Sequence, residues 1–151
     1  AIKKWRLCWI AVKTDDYILY GNIGDSSGYA IKNEKLHKIT HDHTLVNLLV
    51  STGELTPEQA KFHPRKNLLT RALGANDPIE IDIFDVDNNV QGLFLCSDGL
   101  TNMVTEEQIE KVLNNKSSIE EQVEKLIKKS NMRGGTDNIS IAYLKKESGD
   151  L

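Results

Sequence analysis

The chain has 151 residues, 39% of them apolar and 27% charged, which suffices for one domain with a real core. Its net charge of −3 provides no basic field for nucleic acid or an anionic membrane surface, and no apolar run is long enough to span a bilayer. No signal-peptide pattern opens the chain, because Lys3, Lys4 and Arg6 interrupt it early. Cys8 and Cys96 each sit inside an apolar run and read as buried reduced thiols, so the cytoplasm is the expected compartment.

In chain order, the first third predicts strands. Leu7 to Val12 and Tyr17 to Ile23 are apolar runs separated by the Asp15-Asp16 turn. Gly28 to Lys32 and Lys35 to Thr40 flank Asn33-Glu34, a tight hairpin, and the whole reads as an antiparallel meander. Thr44 to Ser51 has helical spacing and stops at Gly53. Thr56-Pro57 starts a short helix with an N-cap and a proline at its first position. His63 to Asn67 is a polar break, Leu68 to Leu73 is short and apolar, and Gly74 to Pro78 is a loop.

Ile79 to Val86 alternates, with Ile79, Ile81 and Ile83 set against Glu80 and Asp82, which predicts a half-buried strand. Leu93 to Cys96 is fully apolar and suits a central strand. Thr105 with Gln108, and Ser118 with Glu121, predict capping boxes over two amphipathic helices. Gly134-Gly135 ends the helical region, and Ile139 to Leu144 is the last strand. Strands followed by two amphipathic helices give an α+β layered domain.

Three aspartates stand at strand ends beside glycine: Asp25, Asp98 and Asp137. Each alone is ordinary turn chemistry. If the last strand runs antiparallel to the others, one sheet edge collects all three. Converging carboxylates cannot all stay ionised without counter-charge, and an all-oxygen set suits Mg²⁺ or Mn²⁺.

The words around these aspartates resemble the type-2C, or PPM, family of metal-dependent serine/threonine protein phosphatases, especially its small bacterial members. They are Ile23-Gly24-Asp25-Ser26, Thr40-His41-Asp42-His43-Thr44, His63-Pro64-Arg65-Lys66-Asn67, Thr70-Arg71-Ala72-Leu73-Gly74, Leu95-Cys96-Ser97-Asp98-Gly99-Leu100-Thr101 and Arg133-Gly134-Gly135-Thr136-Asp137-Asn138-Ile139. The resemblance implies an antiparallel β-sandwich flanked by helices in α-β-β-α layers. It implies hydrolysis of phosphoserine and phosphothreonine in proteins by a metal-activated water, with two core Mn²⁺ or Mg²⁺ ions and a weaker third. Asp98 and Asp137 match carboxylates on a core ion, and Asp25 and Asp98 those on the third. Asn138 and Gly99 stand beside them as supporting residues, and no further catalytic residue is assignable. A flap at about residues 41–67 implies substrate contacts at His63 and Arg65, although a structural turn around Pro64 explains the same residues. His37, His41 and His43 read as structural or solvated. Implied partners are phosphoprotein substrates and a cognate serine/threonine kinase.

Departures from the family pattern are visible. Ser27 stands where the family has arginine after Gly-Asp-Ser, and Ile2 to Arg6 replace a Met-Gly-Thr-Thr-like word. The family's Asp-Gly-x-Gly-Gly word, whose aspartate bridges the core ions, does not occur in these residues. Residues 1–151 are therefore expected to be the C-terminal portion of a phosphatase domain, inactive alone, with strand edges unpaired and an apolar face uncovered, near which Trp5 and Trp9 are expected. The alternative is a non-catalytic pseudophosphatase or protein-binding module that kept the fold and lost the dimetal centre.

Overall fold

The computed structural model describes residues 8–74 and 78–146. Trp5, Leu7 and part of the expected 74–78 loop lie outside the described residues. Two antiparallel sheets form the scaffold. The first has the order β1-β2-β5, from β1 (Cys8–Lys13), β2 (Ile18–Ile23) and β5 (Asp82–Val86). The second has the order β4-β3-β6-β7, from β3 (Ser27–Lys32), β4 (Lys35–Lys38), β6 (Gly92–Cys96) and β7 (Ile141–Lys145).

The expected meander is therefore split. Each predicted hairpin forms, but β2 and β3 lie in different sheets. Gly24, at φ 113°, turns the chain from one sheet to the other in a backbone region that favours glycine. The β3–β4 turn uses Asn33 and Glu34 at φ 52° and 61°, the paired left-handed geometry that matches the twist of a hairpin.

Alternation within strands builds two cores. Ile18, Tyr20 and Val86 of the first sheet meet Ala30, Leu93 and Leu95 of the second. The opposite face of the second sheet presents Tyr29, Ile31, Phe94 and Cys96 to the helical layer. β6 is buried along its whole length, as a central strand covered on both faces must be. Gly28 admits the Tyr20 ring, since a Cβ there would stand 2.8 Å from it, and the Tyr20 hydroxyl donates to the Tyr29 carbonyl at 2.7 Å. A buried phenol thereby joins the two sheets without an unmet hydrogen bond.

The helical layer is α4 (Glu106–Leu113) and α5 (Ile119–Met132), which bury Ile109, Val112, Leu113 and Leu126. The Ser118–Glu121 capping box forms at the start of α5. Thr105 occupies the N-cap of α4 without a side-chain bond: the Gln108 amide donates to the Thr105 carbonyl at 3.0 Å, and the Gln108 side chain, which would close the box, accepts instead from Arg133 Nη1 at 2.6 Å. Gln122 of α5 is fully buried and donates from Nε2 to the carbonyls of Leu113, Asn115 and Ser117, closing the α4–α5 connection. Gly134 and Gly135, both at positive φ, end the helical region as expected.

The β5 face differs from expectation. Phe84 and Val86 point inward, while Ile79, Ile81 and Ile83 are exposed. Pairing of Val86 with Ile18 and of Phe84 with Tyr20 sets this parity, and a strand's side chains change face together. Ile81 lies with Ile10 over Gly21, so the outer face of the first sheet is an apolar surface that also carries Val12 and Ile83. Trp9 does not join that surface. It packs inward against the inter-sheet core. Among the described residues, no helix is long and apolar enough to cross a membrane.

Candidate active site

One edge of the four-stranded sheet gathers the three aspartates. Ser27, Cys96 and Ile141 are register partners across β3, β6 and β7. Asp25 stands two residues before Ser27, Asp98 two after Cys96, and Asp137 four before Ile141. β7 runs antiparallel to β6 but parallel to β3, which departs from the expected condition; Asp25 and Asp137 both precede their strands and Asp98 follows β6, so the three loops fall at this edge, with β3 rather than β2 as the strand that brings Asp25 there.

Local bonds hold each loop. Asp98 opens the short helix α3 (Asp98–Thr101), and Asn102 Nδ2 donates to its Oδ2 at 3.2 Å. Asp137 Oδ1 accepts from the Asn138 amide at 2.7 Å. Ser97 Oγ donates to the Asn138 carbonyl and accepts from the Ser140 amide, both at 3.0 Å, so the Asp98 and Asp137 loops are laced together. Gly99 permits this approach, since a Cβ would fall 2.3 Å from the Asn138 carbonyl oxygen. From below, Ser130 of α5 donates to the Gly99 carbonyl at 2.9 Å.

The carboxylates sense one another. Burial pushes the Asp25 carboxyl up to about 6, with further upward contributions from the charges of Asp98, Asp42 and Asp137. Burial also raises Asp98, and Asp137 adds to the effect. Asp25 Oδ1 is buried without a hydrogen-bond partner. Asp42 is in the same cleft but already pairs with Lys38 at 2.8 Å. Among the described residues, no three potential ligand side chains are drawn together into a ready-made cage. A buried orphan oxygen within a set of mutually repelling carboxylates nevertheless matches the chemistry of a hard divalent cation, which supplies the missing positive charge.

Asp25 and Asp98 line an open cleft of about 410 Å³, together with Asp42, Asn102, Lys61 and Lys66. Its far wall is an excursion of the chain between Thr44 and Leu69, which bridge each other. The excursion carries α1 (Leu45–Ser51) and α2 (Pro57–Lys61), capped by Thr44 and by a full Thr56–Gln59 box. His63 Nδ1 accepts from the Arg65 amide at 3.1 Å, so the imidazole stabilises its own turn. Arg65 is exposed, and neither residue lines the cleft with Asp25 and Asp98.

The sequence alone points to no site role for Asp42, Asn102, Lys61 or Lys66, and to no specific partner for His43. Asp42 and His43 stand inside a motif word of the family, which is the one signal that could have found them. Cys96 lies buried under the site edge, and burial pushes its thiol up to about 12, far from thiolate chemistry.

A family model described as Protein phosphatase 2C matches residues 7–134. The serine/threonine phosphatase stp of Listeria welshimeri is 43% identical over 137 residues, which cover 90% of this chain and 54% of that protein. Protein phosphatase PhpP of Streptococcus pneumoniae is 38% identical over 137 residues, 90% of this chain and 56% of that protein. The crystal structure of serine/threonine phosphatase Stp1 from Staphylococcus aureus superimposes with a TM-score of 0.87 at 32% identity, over 93% of this chain and 56% of the other. The chain spans about half the length of the curated relatives it matches. With its two antiparallel sheets, its helical layer and these identities, the chain belongs to the protein phosphatase 2C family.

Proposed function

We propose that these 151 residues supply the C-terminal part of a phosphatase that hydrolyses phosphoserine and phosphothreonine in proteins with the help of Mn²⁺ or Mg²⁺. The family is generally metal-dependent. The observation that carries the proposal is the coupled set Asp25, Asp98 and Asp137 at one sheet edge, with Asp25 Oδ1 unsatisfied by any protein donor. Asp98 and Asp137 are assigned to a core cation, and Asp25 with Asp98 to a more weakly held one.

A bound cation supplies Lewis acidity, which neutralises phosphoryl charge and makes water a competent nucleophile near neutral pH. The chain's own contribution is orientation. Asn102 aims Asp98, the Asn138 amide aims Asp137, and the Ser97–Gly99 contacts keep the two loops in register. Lys61 and Lys66 place positive charge along the cleft, where a phosphorylated segment would lie. Residues 41–67 are assigned as the flap, with His63 shaping its turn and Arg65 exposed for substrate contact. Phosphoproteins, including targets of a partner kinase, are the proposed substrates.

The test uses the full-length gene product and a phosphothreonine peptide with Mn²⁺. Turnover that falls at least about a thousandfold in Asp98→Ala supports the assignment. A folded, Mn²⁺-saturated wild type without turnover points instead to a non-catalytic binding module.

A further inference from the structure

We propose that His43 is a positioning residue that ties the root of the flap to the Asp25 turn and thereby sets how tightly a cation is held at Asp25. This role rests on the proposed assignment of Asp25 to a cation. It concerns a residue that touches neither cation nor substrate.

His43 is buried, and polar bonds surround it on every side. Its backbone amide donates to the Gly24 carbonyl at 2.8 Å, and its Nδ1 accepts from the Gly24 amide at 3.0 Å. Both polar groups of Gly24, the residue immediately before Asp25, are therefore bonded to His43. Because Nδ1 accepts from an amide, it is the unprotonated nitrogen of the ring, and the proton on Nε2 is donated to Asp82 Oδ2 at 2.9 Å. The other oxygen of Asp82 accepts from Arg71 Nη1 at 2.9 Å. The ring is thus fixed in one tautomer and one orientation by a carboxylate, an arrangement that makes a histidine a rigid strut.

The strut stands where the flap begins and ends. Thr44, the next residue, caps α1. The Thr70 amide donates to the His43 carbonyl at 2.8 Å, and the Leu45 amide to the Leu68 carbonyl at 2.8 Å. Arg71 follows directly after the returning segment. Displacement of the flap root therefore bears on His43, and through Gly24 on the backbone from which Asp25 projects. Asp25 Oδ1 has no protein partner of its own, so this backbone is what aims it. Glycine at φ 113° is intrinsically loose, and without the imidazole its amide would face a buried gap.

The test measures Mn²⁺ binding to the full-length protein by calorimetry, the exchange rate of the Gly24 amide, and the Mn²⁺ concentration for half-maximal turnover. His43→Gln keeps a donor toward Asp82 but removes the acceptor for Gly24, whereas His43→Asn keeps the acceptor. We expect His43→Gln to weaken the weaker class of Mn²⁺ site by about tenfold or more, in the direction of Asp25→Ala, and to speed Gly24 exchange. The loss should fall on the half-maximal Mn²⁺ concentration rather than on turnover at saturating Mn²⁺, and His43→Asn should restore most of it. A protein that merely lost general stability would not show this split. Wild-type Mn²⁺ affinity in His43→Gln, with Asp25→Ala weakened, overturns the positioning role and leaves the functional proposal standing. Wild-type affinity in Asp25→Ala overturns the cation assignment itself. Should His43→Gln fail to fold, Asp82→Asn takes its place, since it keeps the ring and removes the charge that orients it. Unchanged Mn²⁺ affinity in Asp82→Asn then overturns the proposal.

Discussion

The two sheets of this molecule are covered very differently. The four-stranded sheet is packed on both faces, against the other sheet and against α4 and α5, and its strand β6 is buried throughout. Among the described residues, the three-stranded sheet is packed on one face only. Its other face leaves Ile10 56% and Ile83 71% exposed. The candidate site is built on the edge of the doubly covered sheet. Carboxylates that repel one another need a rigid frame, and a strand held from both sides provides one. The difference teaches that site geometry and surface exposure are carried by separate halves of the fold.

The sharpest way to break this comparison is to hollow the covered sheet. Phe94 is fully buried and packs edge-on against Tyr143, so Phe94→Ala should cost about 3–5 kcal/mol in urea unfolding. A loss below about 1 kcal/mol would mean that this sheet is no better packed than its neighbour. Next in size is Gly99→Ala. Its new methyl group would meet the Asn138 carbonyl, so the Asp98 and Asp137 loops must part, at a cost of about 1–3 kcal/mol together with weakened Mn²⁺ binding. Unchanged stability and unchanged Mn²⁺ affinity would show that the close approach is not needed.

A smaller effect follows from acid. Burial raises the Asp82 carboxyl, but the hydrogen bond from His43 and the charge and hydrogen bond of Arg71 outweigh it, and the net shift is downward. A depressed folded-state value stabilises above the unfolded value near 3.8, and the stabilisation is lost as pH falls through the folded value. Asp82→Asn should therefore flatten the acid limb of stability below about pH 4, as read from melting temperatures across a pH series. An unaltered acid limb would deny Asp82 this contribution. The smallest effect is expected at Ile83→Thr on the bare face, within about 0.5 kcal/mol in the 151-residue chain. A larger loss would show that this face is covered in solution, and would erase the contrast between the sheets.

Local features are the ones most legible in the sequence. Thr56 and Ser118 cap helices where expected, because a cap acts over three residues. The Asn33-Glu34 hairpin and the fully apolar β6 are equally plain. The inward face of β5 is not, because Ile81 and Ile83 alternate as well as Phe84 and Val86 do, and only pairing with β2 chooses between them. Thr105 reads as a capping box because Gln108 stands three residues on, whereas the Arg133 that engages Gln108 is 25 residues away. The three aspartates are legible as a set through the words around them. The positioning role of His43 is not, since its partners Gly24 and Asp82 lie 19 and 39 residues away.

The free thiol of Cys96 sits at 0% exposure under the site edge, in the row that joins Ser27 to Ile141. It can react with an alkylating reagent only when that row opens. Following adduct formation on the Cys96 peptide by mass spectrometry, with and without Mn²⁺, would therefore time the breathing of the sheet edge from within, with no reporter added to the protein.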